Sequence, residues 1–205
     1  MSTEDQKSTD VNLTRRKVLT GASGVVGAIG AGFMAVPFVG SWMPSERAKA
    51  AGAPVNADIS KLQPGQMLTI SWRGKPVWVV RRTPEMLKIL AENITELRDP
   101  DSNESDQPSY AKNTFRSINE EFLVVVGICT HLGCAPLYRP AVGSPDMQEG
   151  WQGGFFCPCH GSRFDLAGRV AKSVPAPINL EIPPYNFISN SVVRVGEDPA
   201  EGGVA

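Results

Sequence analysis

The sequence predicts a mostly β protein in which an antiparallel β-sandwich head with one short helix follows a single N-terminal transmembrane helix. An uncharged, largely apolar stretch at residues 18–45 comes directly after a basic cluster, which is typical of a membrane anchor. Beyond this stretch, short apolar or alternating segments are bounded by glycine, proline or asparagine, a pattern that favours strands joined by turns. The 20 glycines and 17 prolines are scattered rather than periodic, which also indicates many turns.

The apolar stretch is long enough to cross a membrane as one helix. At about 1.5 Å per residue, residues 18–43 would extend about 39 Å, against about 30 Å for the hydrocarbon core. The competing prediction is a cleaved signal peptide, because Ala-Lys-Ala at residues 48–50 resembles a peptidase site. Since the stretch greatly exceeds the h-region of about 7 to 15 residues in such peptides, we expect an uncleaved anchor over residues 18–43. Within it, Ala28 and Gly32 form a small-x-x-x-small pair that permits close contact with a helical partner in lipid.

The residues before the anchor indicate its orientation. Arg15, Arg16 and Lys17 are either simple positive-inside residues or a twin-arginine export signal, and both alternatives place residues 1–17 in the cytoplasm. Acidic residues in this segment argue against a mitochondrial transit peptide, which is poor in acids. The head is therefore expected on the other side of the membrane. Between anchor and head, residues 44–56 are rich in alanine, glycine and proline, a composition that fits a flexible linker and equally a passive spacer.

The head is predicted over residues 57–205, with strands at residues 68–72, 77–81, 122–128, 179–182 and 191–195. One helix interrupts the strands, because Thr83 can cap it and Pro84 suits its first position. Its apolar face, which we expect in the core, comprises Leu87, Leu90, Ile94 and Leu97. Residues 99–113 are predicted to form a loop whose acids are solvated.

Charge excludes one broad class of function. The chain has 20 lysines and arginines against 21 aspartates and glutamates, so no basic excess is available for a nucleic-acid surface.

Two short runs, Cys-Thr-His-Leu-Gly-Cys at residues 129–134 and Cys-Pro-Cys-His-Gly-Ser at residues 157–162, contain all four cysteines and both histidines. Structural zinc and a purely disulfide role are both possible, but a zinc knuckle would use both cysteines of a run and leave the histidines without a role. A Rieske 2Fe-2S centre uses two thiolates on one iron and two imidazoles on the other. Its lower negative charge makes the cluster easier to reduce than an all-thiolate cluster.

The chain resembles the proteobacterial Rieske iron-sulfur subunit of the quinol:cytochrome c oxidoreductase, the cytochrome bc complex. The resemblance rests on both runs and on further stretches at residues 81–85, 97–108 and 110–117. It implies that one 2Fe-2S cluster is bound within a small subdomain, residues 129–177. The implied iron ligands are Cys129 and Cys157 on one iron and His131 and His160 on the other, and the implied disulfide joins Cys134 to Cys159.

The same resemblance assigns roles to residues around the ligands. Backbone N–H groups near Gly133 and Gly161 would donate hydrogen bonds to the sulfides, and the Ser162 hydroxyl would do the same. Phe164 stands where relatives often have a tyrosine that bonds a ligand cysteine, so we expect a lower reduction potential here.

Two more residues gain a role from the family pattern. Leu132 is expected at an exposed tip that docks on cytochrome b beside the quinone. Pro175 belongs to the run Val-Pro-Ala-Pro at residues 174–177, which is expected to shield the cluster. Relatives commonly have glycine at the first position of this run, so Val174 leaves its backbone geometry open.

The resemblance implies a role as the electron-transfer subunit of an enzyme complex. His160 would take a proton from quinol as the electron passes to the cluster, and the head would swing on residues 44–56 to a c-type cytochrome subunit. The complex is expected to be a dimer in the bacterial inner membrane. A folded head that already contains its cluster would need twin-arginine export, and a disulfide persists best in an oxidising periplasm.

Three alternatives have different partners. The small Rieske subunit of arsenite oxidase is also exported, but the uncleaved span and residues 97–117 argue against it. A soluble Rieske ferredoxin typically lacks the two additional cysteines, Cys134 and Cys159, and any membrane segment. A zinc module would be colourless.

Overall fold

A computed structural model describes residues 13–199, so residues 1–12 of the predicted cytoplasmic segment and residues 200–205 of the predicted head lie outside the described residues. The chain divides into two compact units, Met1–Lys49 and Ala50–Ala205. In the first unit, helix α1 spans Leu13–Ser41 and contains 29 residues, which corresponds to about 44 Å. The segment Leu13–Ala50 is long and apolar enough to cross a membrane, and it contains an 18-residue window with a mean hydropathy of 1.8.

The predicted linker at residues 44–56 contains regular structure at both ends. A short helix, α2, spans Glu46–Ala51 and includes an exposed ion pair between Lys49 and Glu46. Strand β1, Val55–Asp58, then begins inside the predicted range, and Val55 pairs with Val195. The last two residues of the range therefore belong to a sheet of the head, whereas movement of the linker stays a prediction.

The head consists of nine strands, one α-helix and a 3-10 helix within the described residues. The strands after β1 are β2 Met67–Trp72, β3 Lys75–Arg81, β4 Phe122–Val126, β5 Leu137–Arg139, β6 Gly154–Cys157, β7 Ser162–Phe164, β8 Tyr185–Ser189 and β9 Val192–Val195; the helices are α3 Pro84–Glu92 and the 3-10 turn Ser109–Ala111. They form three antiparallel sheets with strand orders β1-β9-β8, β2-β3-β4 and β5-β6-β7. Side chains from all three sheets share one core, which confirms the mostly β prediction.

Four of the five predicted strands are present, as β2, β3, β4 and β9. The strand predicted at residues 179–182 is wrong. Its backbone bonds to separate segments, since Leu180 N–H donates to Gly168 C=O and Ile182 N–H donates to Asp106 C=O. Two prolines follow directly and have no N–H to continue a ladder.

Helix α3 begins as predicted, because the Thr83 hydroxyl accepts a hydrogen bond from Met86 N–H at 3.3 Å. It ends at Glu92, before two residues of the predicted apolar face. Leu90 is buried in the helix, Leu97 is buried outside it, and Ile94 is exposed. The core prediction for Ile94 was therefore wrong.

Asp101, Glu104 and Asp106 in the loop after α3 are exposed, as expected of solvated acids, but Asp99 departs from this expectation. Asp99 is buried, and its carboxylate accepts hydrogen bonds from Asn103 N–H, Glu104 N–H and the Ser105 hydroxyl. Burial by itself raises the pKa of Asp99, but these hydrogen bonds outweigh burial and leave the pKa lowered. The carboxylate thus organises the loop against Asn179, whose side-chain amide donates to Asp99 C=O at 2.9 Å.

Aromatic contacts attach the third sheet to the second. The rings of Trp78 in β3 and Phe155 in β6 stack with centroids 5.2 Å apart. The Tyr138 ring also contacts Phe155, with ring centroids 5.5 Å apart. Gly127 lies directly against the Trp78 indole, and a Cβ at this position would clash with the ring. The Trp78 side chain therefore requires glycine at position 127.

Two buried arginines, Arg82 and Arg116, tie the loop before β4 to the loop after β7. Arg82 donates to Phe115 C=O and Glu120 C=O on the first side and to Leu166 C=O on the other. Arg116 donates to the next two carbonyls, those of Ala167 and Gly168.

Neither arginine has an ion-pair partner among residues 13–199. Burial lowers the pKa of each guanidinium to about 10, which still leaves both charged at neutral pH. Backbone carbonyls and neutral side chains therefore solvate these two buried cations, and the sequence pattern did not indicate this role.

Replacement of Arg82 by lysine tests this contact. The change keeps the charge, but a lysine ammonium cannot reach carbonyls on two loops in the fork geometry of a guanidinium. We expect Arg82→Lys to lower the free energy of unfolding by about 2 to 4 kcal/mol through lost charge-assisted hydrogen bonds, measured by chemical denaturation in detergent. Arg194→Lys, on a partly exposed side chain of β9, is the matched control and should change it by less than about 0.5 kcal/mol. Equal effects of the two substitutions would contradict the account.

Candidate metal centre

The two cysteine- and histidine-containing runs form two loops at neighbouring positions in the head. The first loop, residues 129–134, follows β4, and the second loop, residues 157–162, connects β6 to β7. Each loop is closed by the same backbone hydrogen bond. Gly133 N–H donates to Cys129 C=O at 3.0 Å, and Gly161 N–H donates to Cys157 C=O at 2.9 Å.

Glycine is required at the end of each turn for a conformational reason. Gly133 has φ +83° and Gly161 has φ +76°, in the left-handed region that side chains with a Cβ rarely adopt. A Cβ at either position would have no neighbouring atom within 4 Å, so the backbone angle alone selects glycine. The two loops therefore share a closing hydrogen bond and a final left-handed glycine, and each has a cysteine at its start and a histidine before the glycine.

The donor atoms are arranged by depth. Cys129 and Cys157 are free thiols that are only 2% exposed, whereas His131 is half-buried and His160 is exposed. The two cysteines begin their loops next to the core, because Cys129 comes three residues after the buried strand β4 and Cys157 is the last residue of the largely buried strand β6. The histidines lie near the loop tips, so the centre is sulfur on its inner side and imidazole on its outer side.

The donors also come together as like pairs. The His131 and His160 rings lie with centroids 4.7 Å apart and nearly perpendicular, at 89°. On the inner side, burial and the neighbouring Cys157 thiol both raise the pKa of the Cys129 thiol. Hydrogen bonding from His131 N–H and Ser162 acts in the opposite direction.

The second pair of cysteines has a different role, because the structure joins Cys134 to Cys159 in a disulfide between the loops. Within residues 13–199, only one set of three metal-ligating side chains has its donor atoms within 4.8 Å of one another, and it consists of Cys134, Cys157 and Cys159. Since two of these sulfurs are bonded to each other, the set offers a single thiolate. The loops therefore do not surround one point as a tetrahedral zinc site would.

A third segment, residues 174–177, is bonded to the second loop. The buried Ser162 hydroxyl accepts a hydrogen bond from Ala176 N–H at 3.0 Å. The hydroxyl oxygen acts as the acceptor in this hydrogen bond. Its proton therefore remains available to donate towards the cysteine sulfurs. The adjoining residue Ile178 is held by the first loop, since the Thr130 hydroxyl donates to Ile178 C=O at 2.7 Å. Sequence reasoning missed Thr130, although a hydroxyl between two candidate ligands was a possible signal.

The remaining predicted residues occupy distinct positions around the loops. Leu132 is 71% exposed at the tip of the first loop, and Pro175 is exposed beside Ala176. Phe164 is buried in β7 and pairs with Phe155 of β6. Val174 has no left-handed φ; the preceding Ser173 adopts φ 56° instead, so a β-branched residue is accommodated at position 174.

Comparisons with known proteins cover both units. Residues 5–45 match the family model described as Ubiquitinol-cytochrome C reductase Fe-S subunit TAT signal, and residues 54–184 match the Rieske 2Fe-2S domain model. The ubiquinol-cytochrome c reductase iron-sulfur subunit of Allochromatium vinosum is 60% identical over 188 residues, which cover 92% of this chain and 91% of that protein. The subunit of the same name from Bradyrhizobium diazoefficiens is 40% identical over 184 residues, covering 89% and 94%. A solved chain titled Hyperthermophilic respiratory Complex III is 30% identical with a TM-score of 0.45, covering 86% of this chain and 98% of that one.

Replacement of Ser162 by alanine tests the link between the second loop and residues 174–177. The change leaves Ala176 N–H buried without a partner, so we expect the free energy of unfolding to fall by about 1 to 3 kcal/mol. Amide hydrogen exchange at Ala176 should accelerate more than exchange at core strand β4. The matched control is Ser189→Ala, whose hydroxyl is exposed, and a comparable effect there would contradict the assignment.

Proposed function

Because this chain belongs to the family of ubiquinol-cytochrome c reductase iron-sulfur subunits, we propose that Cys129, His131, Cys157 and His160 hold its Rieske 2Fe-2S cluster. Family membership establishes the chain as a membrane-anchored electron-transfer subunit of the respiratory cytochrome bc complex. The observation that carries the ligand proposal is the segregation of donors into a buried sulfur pair and an imidazole pair nearer the surface, with His131 half-buried and His160 exposed.

The donor set fits a cluster with two metal ions better than a site with one. A Rieske cluster requires both thiolates on one iron and both imidazoles on the other. The like pairs on opposite sides of the centre match this requirement, and the disulfide leaves two cysteines and two histidines as ligands. When bound, such a cluster accepts one electron at a potential well above that of an all-thiolate cluster.

The exposed imidazole has the position needed to bind quinol. His160 is the more exposed of the two histidines, and its ring lies 4.7 Å from that of His131, the residue that precedes the exposed Leu132. A quinol hydroxyl that donates a hydrogen bond to the free ring nitrogen of His160 is oriented for transfer of its proton to that nitrogen. Leu132 supplies an apolar surface that excludes water at the contact with cytochrome b.

The residues around the anchor support a proposal for the orientation of the chain in the membrane and for its partners. We propose that the N-terminus is cytoplasmic and the head periplasmic, since Arg15, Arg16 and Lys17 precede a span within the segment matched as an export signal. The head would then deliver electrons to a c-type cytochrome subunit by movement on residues 44–56. Assembly of two copies of the complex into a dimer is part of the same proposal.

Spectroscopy of membranes tests the ligand set. Electron paramagnetic resonance of reduced membranes should show a Rieske signal for the wild type and none for Cys129→Ser, His131→Gln, Cys157→Ser or His160→Gln. The control is Leu132→Ala, which leaves every ligand in place. It should retain the signal and slow quinol oxidation, because the docking contact at the tip is lost. Retention of an unchanged signal in any ligand variant would overturn the assignment.

The Phe164 side chain offers a test of how the potential is set. Phe164 shares a core with Cys129, and it has no hydroxyl to donate to a ligand sulfur. A donor to sulfur stabilises the additional negative charge of the reduced state, so we expect Phe164→Tyr to raise the reduction potential. Redox titration measures the effect. Phe155→Tyr adds a hydroxyl on the neighbouring strand as a control, and no rise specific to position 164 would contradict the prediction.

A further inference from the structure

A free thiol lies beside the disulfide that joins the loops. The Sγ atoms of Cys134, Cys157 and Cys159 all lie within 4.8 Å of one another. Cys134 and Cys159 share the disulfide, and Cys157 is a buried free thiol. Thiol–disulfide exchange occurs when a thiolate attacks a disulfide sulfur, so the reactants of an exchange are already adjacent.

We propose that Cys157, whenever it does not hold iron, exchanges with the Cys134–Cys159 disulfide. The inference rests on the proposed function, in which Cys157 is an iron ligand. The Cys157 thiol loses its proton to water, and the thiolate attacks Cys134 Sγ. The Cys134–Cys157 bond forms, the Cys134–Cys159 bond breaks, and Cys159 leaves as a thiolate that takes up a proton. One disulfide replaces another, so no oxidant or reductant is consumed.

Exposure determines which sulfur leaves. Cys159 is exposed, whereas Cys134 is half-buried, so a thiolate released at Cys159 is solvated by water. Departure of the better-stabilised thiolate is faster, which favours attack on Cys134. Attack on Cys159 would instead close a bond across Pro158 alone, where the fixed proline φ restricts the geometry that a disulfide needs.

The exchange has little cost in chain entropy. The native disulfide closes a sequence separation of 25, and the Cys134–Cys157 bond would close one that is two residues shorter. Loop-closure entropy changes only slowly with length, so the two disulfides constrain the unfolded chain almost equally. The balance then depends on whether iron occupies Cys157.

The consequence concerns assembly of the centre. Exchange turns a ligand thiolate into a disulfide sulfur, and the site can no longer hold both irons until the exchange reverses or the bond is reduced. Insertion of the cluster before the disulfide forms, in a reducing compartment, avoids this competition. Iron at Cys157 then protects the native disulfide after export.

Two ligand variants of the full-length chain in detergent provide a matched test. Cys129→Ser and Cys157→Ser each remove one proposed ligand, but only Cys129→Ser retains the thiol beside the disulfide. Both are incubated without oxygen or added thiol in mildly alkaline buffer, quenched with acid and treated with a water-soluble maleimide. Mass spectrometry of unreduced peptides identifies the disulfide and the labelled cysteine.

We expect Cys129→Ser to contain mainly the Cys134–Cys157 disulfide, with label on Cys159. Cys157→Ser and the cluster-loaded wild type should keep Cys134–Cys159. Labelling of Cys159 in these two samples should be lower than in Cys129→Ser by about tenfold or more. Retention of Cys134–Cys159 in nearly all Cys129→Ser molecules would overturn the inference.

A second preparation tests exchange in the wild-type chain, so that unfolding of a variant does not decide the result. Anaerobic chelation removes the cluster from the wild type, and urea-unfolded protein serves as the scrambling reference. Exchange from native geometry leaves Cys129 unpaired, whereas pairing of Cys129 as frequent as in urea would contradict the inference. The loss of the Rieske signal in Cys157→Ser is measured on the same samples. A retained signal would defeat the ligand proposal, while a lost signal without exchange would defeat only this inference.

Discussion

The segregation of donor atoms across the two loops is the constraint on which the rest of the head depends. Two thiols lie at the loop bases next to the core, and two imidazoles lie near the loop tips. A cluster whose two irons have different ligands requires this order, since mixing the donors would change the charge on each iron. Two turns closed by the same hydrogen bond and ending in Gly133 and Gly161 produce it, and the disulfide between Cys134 and Cys159 links the turns.

A small subdomain cannot keep such loops in place by hydrophobic burial alone. The β5-β6-β7 sheet gains support from the Trp78–Phe155 stack and from Arg82 and Arg116, whose guanidinium groups bind three successive carbonyls after β7. Burial of a cation is costly unless its donors are satisfied, and each arginine meets this condition with several acceptors. The two arginines thereby join the loop before β4, which leads to the first loop, to the loop after β7, which follows the second loop.

The centre combines burial for stability with exposure for function. In the proposed assignment, buried sulfurs and the Ser162 hydroxyl would favour retention of the cluster and tune its potential, while the exposed His160 and Leu132 would allow contact with substrate and partner. The disulfide has two effects within this arrangement. It links the loops, and it places an oxidised sulfur pair beside the proposed ligand thiol of Cys157, so that the order of assembly matters chemically.

The sequence by itself determined the anchor, the β class of the head, most of its strands and the candidate ligands, because these depend on local patterns: apolar length, alternation and the clustering of cysteine with histidine. It failed where distant segments decide the outcome. Residues 179–182 have the composition of a strand, but Asn179 and its neighbours bond to two separate loops and to strand β4. Asp99 was predicted to be a solvated acid, but its carboxylate accepts hydrogen bonds from the loop that follows it and is buried by the fold. Arg82 and Arg116 carry no local signal, since their acceptors lie far along the chain. Only the tertiary structure decided which donors pair and how deep each lies, because those properties depend on the packing of strands that are remote in sequence.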